Sequence, residues 1–178
     1  MSIRTLHLLG SPVLREQSPE VPSVTDEIRR LVDDLFDTMR AAQGVGLAAN
    51  QVGIARRVAV VDTGDEDPVV LINPVITDRS GHDLSEEGCL SIPEVYGEVD
   101  RAQHVTVETT TVAGTRVSVT ADDLKARAIQ HEIDHLDGVL FIDHLSPLKR
   151  KLLLAKWRKL RKGETGYLKE VVPAPIED

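Results

Sequence analysis

The sequence QHEIDHLDG at residues 130–138 contains a His-Glu-x-x-His pattern within a segment whose apolar spacing predicts a helix. At about 100° per residue, positions four apart lie about 40° from each other, so the imidazoles of His131 and His135 can reach one metal ion. Glu132 lies one step round the same face, where it can contact a water on that metal without being a ligand. The pattern alone is moderately specific, because five residues match by chance in some helices that merely carry two polar histidines.

The third metal ligand is left open by spacing alone. A catalytic metal of this kind takes three protein ligands and a water. The position six residues after His135 is Phe141, which excludes the metzincin pattern, because that pattern needs a histidine there. Cys89 is a soft ligand in the polar segment 86–91, where Gly88 permits close approach, although a lone cysteine is more often a small buried apolar residue. The other candidates are glutamates of the tail: Glu164, Glu170 and Glu177.

The segments before this pattern predict one helix and a sheet. Apolar residues recur at three- and four-residue spacing between Thr25 and Ala42, after a capping signal at residues 23–26, and predict an amphipathic helix. The rest of this region is expected to contain a glycine-rich irregular segment at 44–51, strands at Val58–Val61 and Val69–Ile72, a turn-rich segment at 85–97, and a hairpin of Val105–Thr111 with Arg116–Thr120.

Two further helices complete an α+β fold of mostly antiparallel strands packed with helices. A capping box at Thr120–Asp123 is expected to open the metal-binding helix, which ends near Gly138. Ser146 and Pro147 open a C-terminal helix with basic residues outward. The residues expected to face inward are Leu148, Leu152, Ala155 and Leu160. We expect residues 1–163 to form a single catalytic domain and residues 164–178 a loosely ordered polar tail.

Composition restricts the class of protein. The 178 residues are 41% hydrophobic and 28% charged, with no apolar run of membrane-spanning length and no apolar segment of signal-peptide type, so we expect a cytoplasmic protein. One cysteine allows no internal disulfide. The net charge is −8, yet residues 146–162 contain eight basic and no acidic side chains. An acidic body argues against wrapping DNA, while the basic helix 146–162 can contact phosphate locally.

Three stretches together resemble the motifs of the peptide deformylase family: GVGLAANQ at residues 44–51, EGCLS at 87–91 and QHEIDHLDG at 130–138. This resemblance implies a bacterial hydrolase that removes the formyl group from the N-terminal formylmethionine of nascent polypeptides. It implies that Cys89, His131 and His135 bind one divalent metal, natively Fe²⁺, although Zn²⁺, Ni²⁺ and Co²⁺ also suit these ligands. It assigns proton transfer to Glu132 and oxyanion stabilisation to the Gln51 side-chain amide and the Leu90 backbone N–H.

The resemblance also predicts how the formylmethionyl peptide is held. The backbone around Val45 and Gly46 is expected to pair with the extended peptide like an added strand. Apolar side chains beside the metal are expected to enclose the methionine, and Leu90 is among them. The predicted substrate-binding residues are Val45, Gly46, Gly88, Tyr96, Leu124, Arg127 and Ala128, of which Tyr96 and Arg127 flank the mouth. Asp134 is expected to face away from the histidines. Because the substrate is leaving the ribosome, the basic helix 146–162 is expected to contact ribosomal RNA transiently.

Three alternative functions remain open from the residues alone. A gluzincin-like metallopeptidase would use a tail glutamate in place of Cys89 and would tolerate its substitution. A zinc-stabilised domain that binds RNA or a partner would need a fourth protein ligand, for which the sequence offers no obvious residue. A cysteine hydrolase using Cys89 would leave the His-Glu-x-x-His spacing unexplained.

Overall fold

The computed structural model describes residues 2–175, which form an α+β fold of ten strands and three α-helices. Every strand pairing in this part of the chain is antiparallel, as the sequence predicts. No helix among these residues combines the length and apolarity needed to cross a bilayer.

The strands form four small sheets. A three-stranded sheet has the order β2-β3-β4, a second has the order β5-β8-β9, and β6-β7 and β1-β10 are two-stranded. The strands are β1 (Leu6–His7), β2 (Gly46–Ala48), β3 (Val58–Val61), β4 (Val69–Ile72), β5 (Val75–Ser80), β6 (Asp83–Cys89), β7 (Ile92–Arg101), β8 (His104–Thr110), β9 (Arg116–Asp122) and β10 (Leu168–Lys169). The predicted strands at 58–61 and 69–72 and the predicted hairpin are therefore confirmed.

The first helix, α1 (Asp26–Ala41), matches the predicted amphipathic helix. Its N-cap is Thr25, whose hydroxyl accepts a hydrogen bond from the Ile28 N–H at 3.4 Å. The apolar face packs with β2, β3 and β4 in one core cluster. The buried side chains of this helix are Ile28, Leu31, Val32, Leu35, Thr38 and Met39.

The second helix, α2 (Asp123–Leu136), is central to the molecule and contains the His-Glu-x-x-His pattern. Most of its residues after Lys125 are buried, because strands β2, β3, β8 and β9 pack against it. Ala126, Ile129 and Ile133 lie on one face of the helix and belong to one core cluster. The predicted capping box is wrong: Thr120 pairs with β8, and the N-cap Asp122 makes no side-chain capping bond, because the chain passes directly from β9 into α2.

Two segments predicted to lack regular structure contain strands. Residues 46–48 of the glycine-rich segment form edge strand β2, and Ala49–Val52 form a 3₁₀ turn. Residues 85–97 lie mostly in the hairpin of β6 and β7, with the turn confined to Leu90 and Ser91. The acidic residues of this segment led to the prediction of an exposed turn. Glu87 is instead buried in the hairpin, where it forms an ion pair with Arg101.

The third helix, α3 (Pro147–Leu160), begins after Ser146, whose hydroxyl accepts from the Lys149 N–H as expected for a cap. The predicted inward face is wrong. Leu148 and Leu152 are 66% and 62% exposed, and Leu160 and Ala155 are also exposed. The buried residues are Leu153 and Trp157, which pack with Phe141 in a third core cluster. Leucines lie all round this helix, so burial of the larger indole decides which face turns inward.

Part of the predicted tail is paired. Leu168–Lys169 forms β10 against β1, and Leu8 N–H donates to the Tyr167 carbonyl at 2.6 Å. Of the predicted tail, residues 176–178 lie outside the described residues.

Candidate active site

A cysteine and two histidines from distant elements meet at one point. His131 and His135 are one helical turn apart on α2, and Cys89 is the last residue of β6. The Nε2 atoms of the two histidines are 3.1 Å apart, and Cys89 Sγ is 3.3 Å from His135 Nε2. These three side chains are the group of residues whose ligand atoms lie within 4.8 Å of one another in the described chain.

The donor set and its spacing fit a metal ion. Nitrogen ligands at about 2.1 Å and a sulfur at about 2.3 Å from a tetrahedral ion lie roughly 3.3–3.6 Å from each other. The observed separations of 3.1 and 3.3 Å are close to this. One thiolate and two imidazoles leave a tetrahedral ion with one open position, which is typical of a catalytic rather than a structural site.

The Glu87 carboxylate orients His131. Glu87 Oε1 lies 2.7 Å from His131 Nδ1, which leaves Nε2 of that ring directed toward His135 and Cys89. The same carboxylate accepts from two buried guanidinium groups: Arg101 at 2.8 and 2.9 Å, and Arg127 at 2.7 Å. A carboxylate behind a ligand histidine fixes the ring and its tautomer.

A second carboxylate extends this network to the surface. Arg101 Nη1 donates to Asp134 Oδ2 at 2.6 Å, and His144 Nε2 lies 2.8 Å from the same oxygen. Asp134 therefore faces away from the two histidines, as predicted. Burial alone would raise the pKa of Asp134, but its bonds to His144 and Arg101 lower it. Asp134 thus stays ionised and holds Arg101 against Glu87.

The two ligand histidines have opposite tendencies to protonate. Burial disfavours the charged form of His131, yet hydrogen bonds to Cys89 and Glu87 raise its pKa well above the usual value. Burial and the neighbouring charge of His131 lower the pKa of His135. A metal ligand needs a free Nε2 lone pair, so metal binding at these side chains competes with protonation of either ring.

Glu132 is a buried carboxylate with unused bonding capacity. It is 3% exposed, and its Oε2 has no hydrogen-bond partner among the described residues. Desolvation raises the pKa of Glu132 to about 7. The backbone of strand β2 packs closely against the Glu132 side chain. The space between them is so small that a Cβ added at Gly46 would lie 2.6 Å from Glu132 Oε1. A carboxyl group with a pKa near neutrality can both accept and return a proton.

The Gln51 amide is held toward the sulfur of Cys89. Its Oε1 accepts from the Ala48 N–H at 3.0 Å, and its Nε2 donates to Ser91 Oγ at 3.0 Å and lies 3.6 Å from Cys89 Sγ. The orientation of the amide is therefore fixed from both ends. Leu90 lies in the turn directly after Cys89, beside this amide.

A cleft of about 760 Å³ opens onto these side chains, and its volume is in the usual range for a ligand pocket. Its walls include Gln51, Cys89, His131 and Glu132. All the residues predicted to bind substrate border it: Val45, Gly46, Gly88, Leu90, Tyr96, Leu124, Arg127 and Ala128. Of the two residues predicted at the mouth, Tyr96 is 60% exposed whereas Arg127 is 5% exposed. The guanidinium of Arg127 is occupied by Glu87 and by the carbonyls of Val99 and Asp83.

Several residues of the site were not identified from the sequence. Glu87 lies two residues before Cys89, inside a quoted motif, but nothing local distinguishes it from the exposed Glu86. Asn50 Nδ2 donates to the His135 carbonyl at 2.6 Å and ties the segment after β2 to the end of α2. Arg101 and His144 lie outside the three quoted motifs, ten residues after the second and six after the third, and only the fold shows that they join the site.

Comparison with known proteins finds the same family throughout. A family model described as polypeptide deformylase matches residues 3–151. Among curated relatives, the peptide deformylase of Agrobacterium fabrum is 48% identical over 170 residues, covering 92% of this chain and 99% of the relative. The peptide deformylase of Alkalilimnicola ehrlichii is also 48% identical over 170 residues, covering 93% of this chain and 96% of the relative.

Solved structures show the same likeness. A peptide deformylase from Ehrlichia chaffeensis in complex with actinonin superposes with a TM-score of 0.87 at 38% identity, covering 93% of this chain and all of that one. A peptide deformylase from Synechococcus elongatus, also in complex with actinonin, has a TM-score of 0.81 at 43% identity and covers 85% of each chain.

Proposed function

Because this chain belongs to the peptide deformylase family, we propose that Cys89, His131 and His135 hold its metal and that Glu132 transfers the proton during hydrolysis. The protein is a metal-dependent hydrolase that removes the formyl group from the N-terminal formylmethionine of nascent polypeptides and releases formate. Family membership favours this activity over a gluzincin-like peptidase, a cysteine hydrolase and a non-catalytic zinc-stabilised domain.

One observation carries the assignment of the ligands. Cys89 Sγ and the two Nε2 atoms converge at a single point beside the cleft, with Glu132 next to them. When bound there, a divalent metal lowers the pKa of a coordinated water and polarises the formyl carbonyl.

Glu132 moves the proton that the reaction transfers. The buried carboxylate accepts a proton from the attacking water as the water oxygen adds to the formyl carbon. It then returns that proton to the nitrogen as the C–N bond breaks, which leaves a free methionine amine and formic acid, and the acid ionises to formate in neutral solution. In the metal-free protein, burial raises the pKa of Glu132 to about 7, and a carboxyl whose ionised form is disfavoured in this way is a better proton acceptor than a solvated one.

Gln51 and Leu90 stabilise the negative charge that develops on the former carbonyl oxygen. Gln51 Nε2 is aimed toward Cys89 by the Ala48 and Ser91 hydrogen bonds, so a donor is available without rearrangement. The Leu90 backbone N–H adds a second donor from the adjacent turn. Donors fixed in advance stabilise an oxyanion more than mobile water does.

The edge of strand β2 binds the backbone of the peptide. Strand β2 pairs with β3 on one side only, since it is the outer strand of its sheet. Val45 and Gly46 at its start border the cleft, so an extended peptide can add to this edge by main-chain hydrogen bonds. Leu90, Leu124 and Ala128 provide apolar surface for the methionine side chain, with Gly88 and Tyr96 nearby.

The native metal is Fe²⁺, and the enzyme works in the bacterial cytoplasm. Thiolate and imidazole ligands also accept Zn²⁺, Ni²⁺ and Co²⁺, so supply and oxidation decide which metal is present. The curated relatives named above are bacterial, and nascent formylated chains are made in the cytoplasm.

The basic helix α3 contacts the ribosome transiently. Its exposed Leu148 and Leu152 share the solvent side with exposed lysines, so both charge and apolar surface are available for contact. Co-sedimentation with ribosomes should decline with salt, because phosphate contacts release counterions. Co-sedimentation should be lost in a triple variant that reverses three charges of the helix: Lys149→Glu, Lys156→Glu and Lys159→Glu. A matched triple variant, Arg30→Glu, Arg56→Glu and Arg79→Glu, should retain it; equal behaviour of the two variants would refute the contact.

The ligand assignment is tested by Cys89→Ala. Metal content of anaerobically purified protein is measured together with formate release from a formyl-Met peptide. The wild type should contain about one iron per chain, and Cys89→Ala should lose tight metal binding and activity together. A variant with full metal content and full activity would overturn the ligand set.

A further inference from the structure

Part of the border of the catalytic cleft is formed by the C-terminal tail. Besides the residues around the metal cluster, the lining includes Lys169, Glu170, Val171, Val172 and Ala174. These tail residues lie beyond residues 3–151, where the family model matches. The cleft is continuous from Glu132 to this segment, so a ligand that extends away from the metal meets the tail.

Several contacts fix the tail beside the cleft. Leu168–Lys169 pairs with Leu6–His7, and the Tyr167 carbonyl accepts from Leu8 N–H. The Tyr167 ring covers Gly10, where a Cβ would lie 2.6 Å from a ring carbon. Val171 is half-buried and packs against the core cluster that contains Leu6. The tail is thus part of the folded wall.

The tail residues that border the cleft include both charged and apolar ones. Lys169, Glu170 and Val172 are exposed, and Val172 is 78% exposed. Pro173 and Pro175 provide no N–H and favour extended backbone at the residues before them. The segment therefore places one positive, one negative and one apolar residue along the border of the cleft.

We propose that residues 169–174 form a distal subsite that contacts the residues following formylmethionine in the nascent peptide. This inference rests on the proposed function. A formyl-Met unit beside Glu132 occupies only the metal end of the cleft, and each further extended residue advances the chain by about 3.3–3.6 Å toward the tail. Lys169 favours acidic residues at these downstream positions, and Glu170 favours basic ones.

The test compares substrates of two lengths at low salt, about 0.01 M, where surface charges are weakly screened. The substrates are formyl-Met-Ala and two formyl-Met hexapeptides, one with Asp and one with Lys at residues four to six. Lys169→Glu should lower kcat/KM for the Asp hexapeptide and raise it for the Lys hexapeptide, each by about two- to fivefold. Glu170→Lys should produce the opposite changes. Neither variant should alter kcat/KM for formyl-Met-Ala.

Two controls make the outcome decisive. Glu164→Lys changes an exposed charge of the tail that does not border the cleft, so it should change kcat/KM for the hexapeptides less than Glu170→Lys does. Val172→Asp adds a charge at an exposed wall position and should resemble Lys169→Glu. If every variant gives the same ratios of kcat/KM between the hexapeptides and formyl-Met-Ala as Glu164→Lys does, the distal subsite does not exist. If the wild type releases no formate from formyl-Met-Ala, the proposed function itself fails.

Discussion

Glu87 Oε1 lies 2.7 Å from His131 Nδ1 and joins the β6-β7 hairpin to helix α2 beside the proposed metal ligands. The same carboxylate neutralises Arg101 and Arg127 in the interior. Burial would raise the pKa of Glu87, but its hydrogen bonds to Arg101 and His131 lower it far below the ordinary value. Glu87 is therefore a permanent negative charge on which both ligand geometry and local folding depend.

Glu87→Gln should weaken metal binding and destabilise the fold. The variant removes the buried carboxylate that Arg101 and Arg127 share and leaves only Asp134 and Asp83 as their acidic partners, which costs roughly 3 kcal/mol of unfolding free energy. Loss of the carboxylate behind His131 should also lower metal affinity by about 10- to 100-fold. Denaturant unfolding and chelator competition measure the two effects. Glu98→Gln, an exposed position on β7, is the matched control, and equal results for the two variants would exclude this role.

Glu132→Gln should abolish turnover while retaining the metal. The amide is similar in size but cannot accept the water proton, so kcat should fall by about 10²- to 10⁴-fold. Formate release and metal content are measured on the same preparation. Near-wild-type kcat at full metal content would transfer the proton step to another group.

Metal-free protein should reveal the buried carboxyl of Glu132 through the pH dependence of stability. Its pKa is raised from 4.5 to about 7, so between these pH values the native state binds more protons than the unfolded state. The stabilisation that protonated Glu132 gives to the native state is thus fully present below about pH 4.5 and is lost as the pH rises to about 7. The Glu132→Gln variant has no such titration. Between about pH 4.5 and 7, its free energy of unfolding should therefore rise by up to about 3 kcal/mol relative to that of the wild type. Urea unfolding with chelator measures the difference; a constant difference would contradict the raised pKa.

Gly46→Ala should reduce activity by displacing Glu132. The added Cβ would lie 2.6 Å from Glu132 Oε1 and 2.9 Å from its Cγ, and the buried side chain has little space to move. A displacement of about 1 Å can cost 100-fold, so kcat/KM should fall by about that factor. Gly44→Ala is the comparison, because its Cβ meets only the flexible Leu90 side chain at 2.6 Å and should cost less. Similar losses in the two variants would mean that contact with Glu132 is not the cause.

The sequence by itself determined the local parts of this protein. Helix α1, the strands at 58–61 and 69–72, and the i, i+4 pair of His131 and His135 follow from spacing along the chain, because helix and strand periodicity are local properties. The three motifs also identified the family, since residues that perform shared chemistry keep a recognisable order.

Only the tertiary structure decided which separate segments meet. Cys89 reaches His135 across 46 residues and Glu87 reaches His131 across 44, and no local pattern encodes contacts of this kind. The buried face of α3 depends on a third core cluster that accepts Trp157, and the position of the tail depends on β1. Each outcome is set by competition among all surfaces for burial and for hydrogen-bond partners, and that competition is resolved only when the whole chain folds.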